Sequence, residues 1–494
     1  MKKLNELFDC EYDAKIYSIH SDSRYVKRNS LFFCIEGLTV DGHQYIDDAI
    51  FQGAIAIVHS KKLPYYRSDI IYLKVDDVKA QLNRVANIFF DYPSTKMKTI
   101  GVTGSGGKTT LATLIDQALA HKFKTGYFGS DRLSYDGMDL RQPLATPEVI
   151  YLHQHLSRMV SRDVELVAIE VSSIGLVLER YTDIQFDIAV MTSIEPRHLE
   201  FHGTFEEYLE AKLSLFSQLE EDCQAILNED DKYFDKFKRA TRANIITYSL
   251  TDKSDVYAKN LDLSLKQSKF ILCLDGQEIP VVTKLVGRYN LYHLLALGAI
   301  MKACQVDTLK IGEIINSLDV VGGRYEVLDL DESFDVAVDH CQELSDYERI
   351  FDFARKYVKE KGRIIGVFGP SSYRGKRYRE QLGRIADRYL DHAILTNQDE
   401  RLENSGIEKI CLDVQNNLKK ATSIIISQRQ FAIEQAIEIA SPDDIILVLG
   451  KGEERFMALE VGTSYYAGDR EVVLESIRHV YHDNYEPSND EFMY

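Results

Sequence analysis

Thr99-Ile-Gly-Val-Thr-Gly-Ser-Gly-Gly-Lys-Thr-Thr110 joins an apolar strand to a glycine-rich turn and then to a helix. Apolar residues recur on one side of this helix at helical spacing: Leu111, Leu114, Ile115, Ala118 and Leu119. A strand that enters a helix through such a turn is typical of a parallel sheet covered by helices. The stretch therefore predicts an α/β fold whose ligand lies at the carboxyl end of the strand.

The turn has the composition of a phosphate-binding loop. Its glycines let backbone N–H groups close around phosphate oxygens, because a Cβ would obstruct the approach. Lys108 adds a positive charge, and the Thr109 hydroxyl can complete a Mg²⁺ shell. The G-x-x-G-K-T spacing is shorter than the general pattern because position 102 is Val, and the alternative is a turn that only connects strand and helix. We predict that the following residues bind a nucleoside triphosphate: Gly104, Ser105, Gly106, Gly107, Lys108, Thr109 and Thr110.

Composition limits the classes of protein to which the chain can belong. Its 494 residues are 45% apolar, which is enough for large cores in about two to four domains. The formal net charge of −18 argues against nonspecific binding to nucleic acid or to an anionic membrane. Seven scattered cysteines without a C-x-x-C pair indicate reduced thiols. No apolar run reaches the roughly 18 residues of a membrane span, so we expect a cytoplasmic protein without a signal peptide.

Three blocks of alternating strands and helices follow one another along the chain. The predicted strands of the first block are Ser30–Ile35, Ala54–His59 and Ile70–Val75, and those of the second are Thr99–Thr103, Leu166–Val171 and Ile188–Thr192. The predicted strands of the third are Val336–Asp339, Arg363–Phe368, Ala393–Thr396 and Ile445–Leu449. Asp91-Tyr-Pro-Ser94 and Gly322-Gly-Arg324 are typical of connections between blocks. We predict domains at residues 1–97, 98–328 and 329–494.

Two groups in the second block are candidates for a metal or phosphate site. Glu170 ends an apolar strand just before Ser172-Ser173, the usual position of a carboxylate that serves Mg²⁺. The alternative is a carboxylate that only caps the following turn. His198 and His202 are four residues apart, but a zinc site needs at least one more ligand. A histidine near Mg²⁺ or phosphate is the preferred interpretation, and a structural pair is the alternative.

Lys212 lies on the apolar side of a predicted helix. Thr204-Phe-Glu-Glu207 is a capping box that begins this helix. Apolar residues lie three or four positions from Lys212: Tyr208, Leu209, Leu215 and Phe216. Burial lowers the pKa of a lysine, and a neutral amine can capture CO₂ as a carbamate, which is an anionic metal ligand. The alternative is a lysine whose amine extends from the edge of the apolar stripe into solvent.

Motifs from all three blocks resemble those of the Mur ligases, most closely the MurE type, which adds the third amino acid to UDP-N-acetylmuramoyl-L-alanyl-D-glutamate. In the first block the similar segments are Asp22-Ser-Arg24, Leu31-Phe-Phe33, Asp41-Gly-His43 and Gly53-Ala54. In the second they are the loop at 103–110, Ala145-Thr-Pro-Glu148, Glu170-Val-Ser-Ser173 with Arg180, Tyr208-Leu-Glu-Ala-Lys212 and Gly287-Arg-Tyr-Asn290. In the third they are Gly323-Arg324, Asp339, Gly369, Thr396 to Arg401 and Gly450-Lys-Gly-Glu-Glu454. The resemblance spans nearly the whole chain.

Several polar positions depart from the family pattern. Gly106 stands where the family loop has Asn, and Arg197 replaces an acidic residue beside His198. The other replaced positions are Ile174 for His, His293 for Asn, Asp339-His-Cys-Gln342 for D-Y-A-H, Gln398-Asp-Glu-Arg401 for D-N-P-R and Glu453 for His. The phosphate-binding residues are retained while many polar neighbours differ. This pattern indicates a divergent paralogue with an altered substrate or reduced activity.

The resemblance implies an α/β, three-domain Mur ligase architecture. An N-terminal domain would bind the UDP substrate, a central P-loop parallel-sheet domain would act as the ATPase, and a Rossmann-like C-terminal domain would bind the amino acid. The implied catalytic and metal-binding residues are Lys108, Thr109, Glu170, His198 and carbamylated Lys212, with ATP and Mg²⁺ as cofactors. Further implied nucleotide contacts are Asn290, Arg324 and Asp339. The implied substrate-binding residues are Ser23, Arg24, Thr146, Ser172, Arg180, Asp399, Arg401, Gly450 and Glu454.

The implied reaction is ATP-dependent amide-bond formation through an acyl phosphate, in peptidoglycan precursor synthesis. The implied partners are a UDP-linked muramoyl peptide and a free amino acid, without nucleic acid, and we expect a monomer. Arg401 stands where the diaminopimelate-type enzymes of the family keep an Arg for the distal carboxylate, so the resemblance favours a diamino acid. Asp399 can neutralise Arg401 or prefer a cationic side chain such as that of lysine. Lysine and meso-diaminopimelate both stay open, as does an Arg401 that is only an exposed arginine. Two alternative functions are a related ligase acting on another carboxylate and a nucleotide-binding pseudo-ligase with weak catalysis.

Overall fold

The computed structural model describes residues 1–37, 40–130, 132–141, 146–371, 374–399, 406–458 and 462–481. The chain forms two compact units, each with its own sheets and core. The first unit contains Met1–Asn260, Phe270–Val281 and Leu291–Leu318. The second contains Leu261–Lys269, Val282–Asn290 and Asp319–Tyr494. Among the described residues, no helix combines the length and apolar character needed to cross a membrane.

The N-terminal part of the first unit contains a four-stranded parallel sheet covered by helices and a separate pair of short strands. Its strands are β1 (Lys2–Lys3), β2 (Lys15–Ile16), β3 (Ser18–His20), β4 (Ser30–Phe33), β5 (Ala54–His59) and β6 (Ile71–Lys74). Its helices are α1 (Leu4–Leu7), α2 (Ile46–Gln52) and α3 (Val78–Phe89), with 3-10 turns at Ser23–Tyr25, Gly42–Tyr45 and Pro93–Lys96. The sheet order is β3–β4–β5–β6, and β1 pairs with β2. Alternate residues of β4 belong to two different core clusters, so both faces of the sheet are buried.

The central part of the first unit contains the strand and helix around the glycine-rich loop. Its first eleven elements are β7 (Lys98–Thr103), α4 (Lys108–Leu119), β8 (Thr125–Phe128), β9 (Arg132–Tyr135), β10 (Met138–Arg141), α5 (Val149–Val160), β11 (Leu166–Glu170), α6 (Ser173–Val177), β12 (Ile188–Met191), α7 (Leu199–His202) and α8 (Phe205–Ser217). They are followed by β13 (Gln224–Asn228), α9 (Phe234–Ala240), β14 (Asn244–Ser249), β15 (Val256–Leu263), β16 (Ser268–Leu274), β17 (Gln277–Thr283), α10 (Arg288–Ala303) and α11 (Thr308–Ser317).

These strands form one eleven-stranded sheet, in the order β10–β9–β8–β11–β7–β12–β13–β14–β15–β16–β17. Each pair of adjacent strands from β8 across to β15 is parallel, whereas β9 pairs antiparallel with both β8 and β10. In this order β7 lies between β11 and β12, so the segments that follow all three strands come together at the carboxyl edge of the sheet. The order therefore brings the glycine-rich loop, Glu170 and the residues after Met191 to one edge.

The second unit is a parallel sheet with helices on both faces. Its elements are β18 (Glu326–Val327), β19 (Asp335–Asp339), α12 (Leu344–Tyr357), β20 (Ile364–Phe368), α13 (Lys376–Tyr389), β21 (His392–Leu395), α14 (Gly406–Gln415), β22 (Thr422–Ile425), α15 (Arg429–Glu438), β23 (Ile445–Leu449), β24 (Phe456–Ala458), β25 (Thr463–Tyr465) and α16 (Asp469–Tyr481). The sheet order is β18–β19–β23–β20–β21–β22, parallel except for β18. Along β23, Leu447 packs with residues of α12, α13 and α14, whereas Ile446 and Val448 pack with α15 and α16.

A buried ion pair lies at the carboxyl end of β23 in the second sheet. Arg429 Nε donates to Asp469 Oδ1 and Arg429 Nη2 donates to Asp469 Oδ2, each at 2.7 Å. Tyr466 and the backbone N–H of Gly452 also donate to the Asp469 carboxylate. The two charged side chains are 1% and 0% exposed. Because Asp469 bonds the backbone of Gly452, the pair orders the turn that follows β23.

All ten predicted strands are present, each with bounds within two residues of the prediction, and the α/β fold is confirmed. The predicted capping box is also confirmed: Thr204 Oγ1 accepts from Glu207 N at 3.2 Å and begins α8. In the second block, sequence reasoning missed β8, the β9–β10 hairpin and strands β13 to β17. β15 reads Val256-Tyr-Ala-Lys-Asn-Leu-Asp-Leu263, and its exposed polar residues interrupt the apolar run on which strand prediction depends.

Candidate active site

The glycine-rich loop between β7 and α4 requires glycine at two positions. Gly104 has φ of 151° and Gly107 has φ of 77°, values that other residues rarely adopt. Space is also limited, since a Cβ on Gly104 would lie 1.8 Å from Thr192 Oγ1 and one on Gly107 would lie 2.0 Å from His293 Nε2. Thr110, in the first turn of α4, is buried. The loop thus has a fixed shape with the N-terminus of α4 at its end, which is the geometry that binds phosphate.

Two lysines converge on the start of the loop. Lys108 Nζ donates to Gly104 O at 3.0 Å, and Lys212 Nζ donates to the same oxygen at 2.9 Å and to Thr103 Oγ1 at 3.3 Å. Burial, and to a lesser extent the charges of Lys108 and Arg197, lowers the pKa of Lys212 well below its ordinary value. Because Lys212 is only 1% exposed, the interpretation as a lysine that extends into solvent is wrong.

Glu170 is hydrogen-bonded to the helix that follows the loop. Thr109 Oγ1 donates to Glu170 Oε2 at 3.1 Å, and Tyr127 OH donates to Glu170 Oε1 at 2.6 Å. The residue that caps α6 is Ser172, whose Oγ accepts from Gly175 N at 3.0 Å. The alternative that Glu170 only caps the following turn is therefore wrong. Tyr127 was not predicted, because its position depends on the pairing of β8 with β11.

The middle of the loop is held against the segment that follows β12. Ser105 N donates to Ser193 O at 2.7 Å. Ser105 Oγ donates to Glu195 O and accepts from Glu195 N, each at 2.7 Å. Thr192 Oγ1 donates to Gly106 O at 2.6 Å. These bonds hold the segment that contains Arg197 and His198 next to the loop.

The two predicted histidines have different surroundings. His202 is buried, and its Nε2 lies 3.0 Å from Ser173 Oγ. His198 begins α7 with φ of 55° and a side chain that is 45% exposed, and its Nδ1 lies 3.6 Å from Glu200 Oε1. Within the described ranges, no group of three or more His, Cys, Asp or Glu side chains could hold a metal ion. A metal role for His198 stays a prediction.

Three predicted substrate-binding residues lie together beside α6. Thr146 Oγ1 lies 2.9 Å from Ser172 Oγ. Arg180 Nη1 donates to Thr146 O and, at 3.3 Å, to Pro147 O. Ala145, the first residue of the motif that resembles the family's T-T-P-E, lies outside the described residues. The cluster presents two hydroxyls and a guanidinium near the end of β11.

Ser23 and Arg24, the predicted contacts of the N-terminal part, lie in a 3-10 turn capped by Asp22. Ser23 is buried, whereas Arg24 is exposed and its Nη2 lies 2.6 Å from Asp22 Oδ2. The side chain of Asp22 also accepts from Arg24 N at 3.0 Å. A substrate role for either residue stays a prediction.

In the second unit, Asp339 and Arg324 lie near one end of the sheet. Asp339 Oδ2 accepts from Tyr325 N at 2.6 Å. Burial raises the pKa of Asp339 to about 7, although the charge of Arg324 opposes the shift. Arg324 Nη1 lies 3.3 Å from His340 Nδ1. Asn290, a further predicted nucleotide contact of this unit, is buried and its Nδ2 donates to Val286 O at 2.8 Å.

Glu454 has two cationic or potentially cationic neighbours that sequence reasoning missed. Its Oε1 lies 2.8 Å from His340 Nε2, and its Oε2 accepts from Lys451 Nζ. Burial acts to raise the pKa of Glu454, but His340 and Lys451 together lower it to about 2. Glu454 is therefore an anion with a partner on each oxygen.

The remaining predicted contacts of the second unit are Gly450, Asp399 and Arg401. Gly450 O accepts from Gln398 Nε2 at 2.9 Å. Asp399 is buried, and its Oδ2 accepts from Ser371 Oγ at 2.9 Å. Arg401 lies outside the described residues, so its proposed contact with Asp399 stays a prediction.

The fold and the site are those of a P-loop nucleotide-binding α/β protein. The glycine-rich loop lies at a helix N-terminus, two lysines donate to its first carbonyl oxygen, and Thr109 donates to the Glu170 carboxylate. The chain belongs to the Mur ligase family. Residues 15–89 match the Mur ligase family catalytic domain, residues 102–301 match the Mur ligase middle domain, and residues 323–452 match the Mur ligase glutamate ligase domain. Mur ligases are ATP-dependent, and this chain is an ATP-dependent amide-bond ligase with the predicted three-domain α/β architecture.

Named relatives and solved structures match nearly the whole chain. UDP-N-acetylmuramoyl-L-alanyl-D-glutamate–2,6-diaminopimelate ligase 1 of Clostridium acetobutylicum is 33% identical over 482 residues, which cover 96% of this chain and 98% of that protein. The 2,6-diaminopimelate ligase of Bacillus cereus is 33% identical over 490 residues, with 96% and 98% covered. A solved structure of a UDP-N-acetylmuramoyl-L-alanyl-D-glutamate–2,6-diaminopimelate ligase has a TM-score of 0.70 at 23% identity and covers 97% of this chain and 99% of its own. MurF ligase from Thermotoga maritima in complex with ADP has a TM-score of 0.61 at 18% identity, with 95% and 98% covered.

Proposed function

We propose that this ligase adds 2,6-diaminopimelate to UDP-N-acetylmuramoyl-L-alanyl-D-glutamate in the synthesis of peptidoglycan precursors. The observation that carries the proposal is the name shared by relatives that match the chain over nearly its full length. The sequence alone left lysine and diaminopimelate open, and these relatives favour diaminopimelate. Because Arg401 lies outside the described residues, the choice of amino acid rests on the relatives.

The proposed reaction has two steps. A substrate carboxylate oxygen attacks the γ-phosphorus of ATP, and the bond to the β-phosphate oxygen breaks with its electron pair, which gives ADP and an acyl phosphate. The amine of the amino acid then attacks the acyl carbon, loses a proton and expels inorganic phosphate. Lys108 and the backbone N–H groups of the loop would hold the phosphates in line for the first step. Most of this catalysis is positioning and charge neutralisation.

The residues beside the loop fit a Mg²⁺ ion. Thr109 Oγ1 and Glu170 Oε2 lie 3.1 Å apart and are oxygen ligands of the kind that Mg²⁺ prefers. A bound Mg²⁺ supplies further neutralisation of phosphate charge. The buried amine of Lys212, whose pKa is lowered, meets the condition for carbamate formation. Carbamylated Lys212 and His198 stay proposed as further metal ligands.

We propose a cytoplasmic location for this reaction. All seven cysteines are free, and six of them are buried, as expected for a reducing compartment. The proposed partners are the UDP-linked muramoyl peptide, the amino acid and ATP. A monomeric state stays a prediction.

Phosphate release by the purified full-length protein tests the proposal. The reaction contains ATP, Mg²⁺ and UDP-N-acetylmuramoyl-L-alanyl-D-glutamate, with diaminopimelate or lysine added in turn and Lys108→Ala as the inactive control. We expect release that requires both the UDP precursor and diaminopimelate. Release with lysine alone would move the specificity to lysine. The absence of release while ATP still binds would favour another carboxylate substrate or a catalytically weak relative.

A further inference from the structure

Arg197 lies against the middle of the glycine-rich loop. Its Nη2 atom lies 3.7 Å from the position that a Cβ would occupy on Gly106. The backbone that carries Arg197 is bound to the loop through Ser105, which contacts both Ser193 and Glu195. Pro196 then restricts the backbone directly before Arg197. The approach of Arg197 to the loop therefore follows from backbone contacts two to four residues upstream of it.

The Arg197 guanidinium adds a positive charge to the loop beside that of Lys108. Lys108 and Lys212 both donate to Gly104 O, and the charge of Arg197 is close enough to contribute to the lowered pKa of Lys212. The Nε atom of Arg197 is buried, so the head group lies partly inside the protein. The N-terminus of α4 contributes further positive potential at the same place. Lys108, Arg197 and a helix N-terminus around one loop form a site for a polyanion.

We propose that Arg197 binds the terminal phosphate of ATP and stabilises the charge on the phosphoryl group as it is transferred. A guanidinium donates two N–H bonds to one phosphate with a geometry that lysine does not reproduce. The inference deepens the proposed function and rests on its use of ATP. It does not depend on the identity of the acid or the amine.

Because residue 106 is glycine, no side chain at this position competes with the Arg197 guanidinium for space beside the loop. A Cβ there is in ordinary contact with Arg197 Nη2, so the further atoms of a longer side chain pointing the same way would meet the guanidinium. Gly106→Asn therefore competes with Arg197 for space at the loop. The two positions are expected to be coupled, and a double-mutant cycle measures the coupling.

Calorimetric titration of the full-length protein with ATP and with ADP, both in Mg²⁺, tests the proposal. We expect Arg197→Ala to weaken ATP binding by at least about tenfold and ADP binding by less than about threefold, because the lost contact is to the terminal phosphate. Phosphate release should fall by at least about 10²-fold, as it does where an arginine stabilises phosphoryl transfer. Arg197→Lys should recover part of both losses. The matched control is Arg239→Ala. Arg239 is an exposed arginine on α9 whose Nε donates to Asp235 O, so its replacement should change the affinity for neither ATP nor ADP.

Gly106→Asn provides the second arm of the test. We expect it to weaken ATP binding in the parent protein and to have little further effect in the Arg197→Ala background. Equal losses for ATP and ADP, additive losses in the cycle, or an Arg197→Ala variant that binds ATP like Arg239→Ala would each overturn the inference. If Arg197→Ala does not fold, Arg197→Lys and Gly106→Asn still provide the comparison of ATP with ADP. Failure of the unaltered protein to bind ATP at all would contradict the proposed function instead.

Discussion

Lys212 donates two hydrogen bonds from a fully buried position, and Lys212→Met removes both of them. Neither acceptor is left without a partner, because Gly104 O still accepts from Lys108 and Thr103 Oγ1 still donates to Val171 O at 2.9 Å. At about 1 kcal/mol each, the two lost bonds amount to about 2 kcal/mol. The variant also avoids burying an amine, which offsets part of this loss. We therefore expect the free energy of local opening around α8 to change by less than about 1 kcal/mol.

Lys212→Ala is the matched comparison, because it removes the aliphatic stem as well. The cavity left by the stem should cost about 2–4 kcal/mol. Hydrogen exchange of peptides from β7 and α8 measures local opening directly. We expect exchange to accelerate by less than about fivefold in the Met variant and by more than about tenfold in the Ala variant. Phosphate release should fall by at least about 10²-fold in both, since each removes the amine from the loop.

The pH dependence of local opening provides a second comparison between the parent protein and the Lys212→Met variant. The pKa of Lys212 is lowered in the folded protein, so the unfolded chain binds more protons between this lowered value and the ordinary value of 10.5. The stability of the parent protein should therefore rise as pH increases through that window, and the Met variant should lack this contribution. A Met variant that opens as readily as the Ala variant, or one that keeps most of its phosphate release, would refute the reasoning.

Three further predictions concern the second unit and the loop. Arg429→Leu should destabilise the second unit by about 3–5 kcal/mol in calorimetric unfolding, because Asp469 would be left as a buried charge. Adding Asp469→Leu should recover much of this loss. An unchanged unfolding temperature for the Arg429→Leu variant would contradict the prediction. The carboxyl of Asp339 keeps its proton in the folded state up to about pH 7, so the stability of the parent should fall as pH rises from 3.8 to about 7. Asp339→Asn should remove that slope from unfolding measured across this range, and a slope that persists would argue against the buried carboxyl as its source. Lys108→Ala should raise the Kd for ATP by more than about tenfold in calorimetry, and a smaller change would show that the lysine is not a main phosphate contact.

Much of the fold and part of the site follow from local sequence patterns. Apolar runs identify the strands, and the Thr204 capping box with its apolar stripe places Lys212 on the buried side of α8. The position of Glu170 at the end of β11 was predicted in the same way. These features depend on residues that lie close together along the chain, so periodicity and spacing are sufficient to find them.

The features that sequence reasoning missed depend on contacts between distant segments. Tyr127 reaches Glu170 because β8 pairs with β11, with Tyr127 opposite Ala168. Glu454 meets His340 because β19 and β23 are neighbours in the second sheet. The approach of Arg197 to Gly106 likewise follows from bonds between two separate segments. A single sequence contains no local signal for the order of strands in a parallel sheet, so these contacts required the structure.

The most direct test of the account follows an oxygen atom through the reaction. UDP-N-acetylmuramoyl-L-alanyl-D-glutamate labelled with ¹⁸O in the reacting carboxylate is incubated with the protein, ATP, Mg²⁺ and diaminopimelate, and the released phosphate is analysed by mass spectrometry. An acyl phosphate requires one carboxylate oxygen to leave with the phosphate, so we expect one ¹⁸O in each phosphate formed together with amide. Phosphate that carries no ¹⁸O would show that ATP is hydrolysed without activating the carboxylate, and would contradict the proposed ligase reaction.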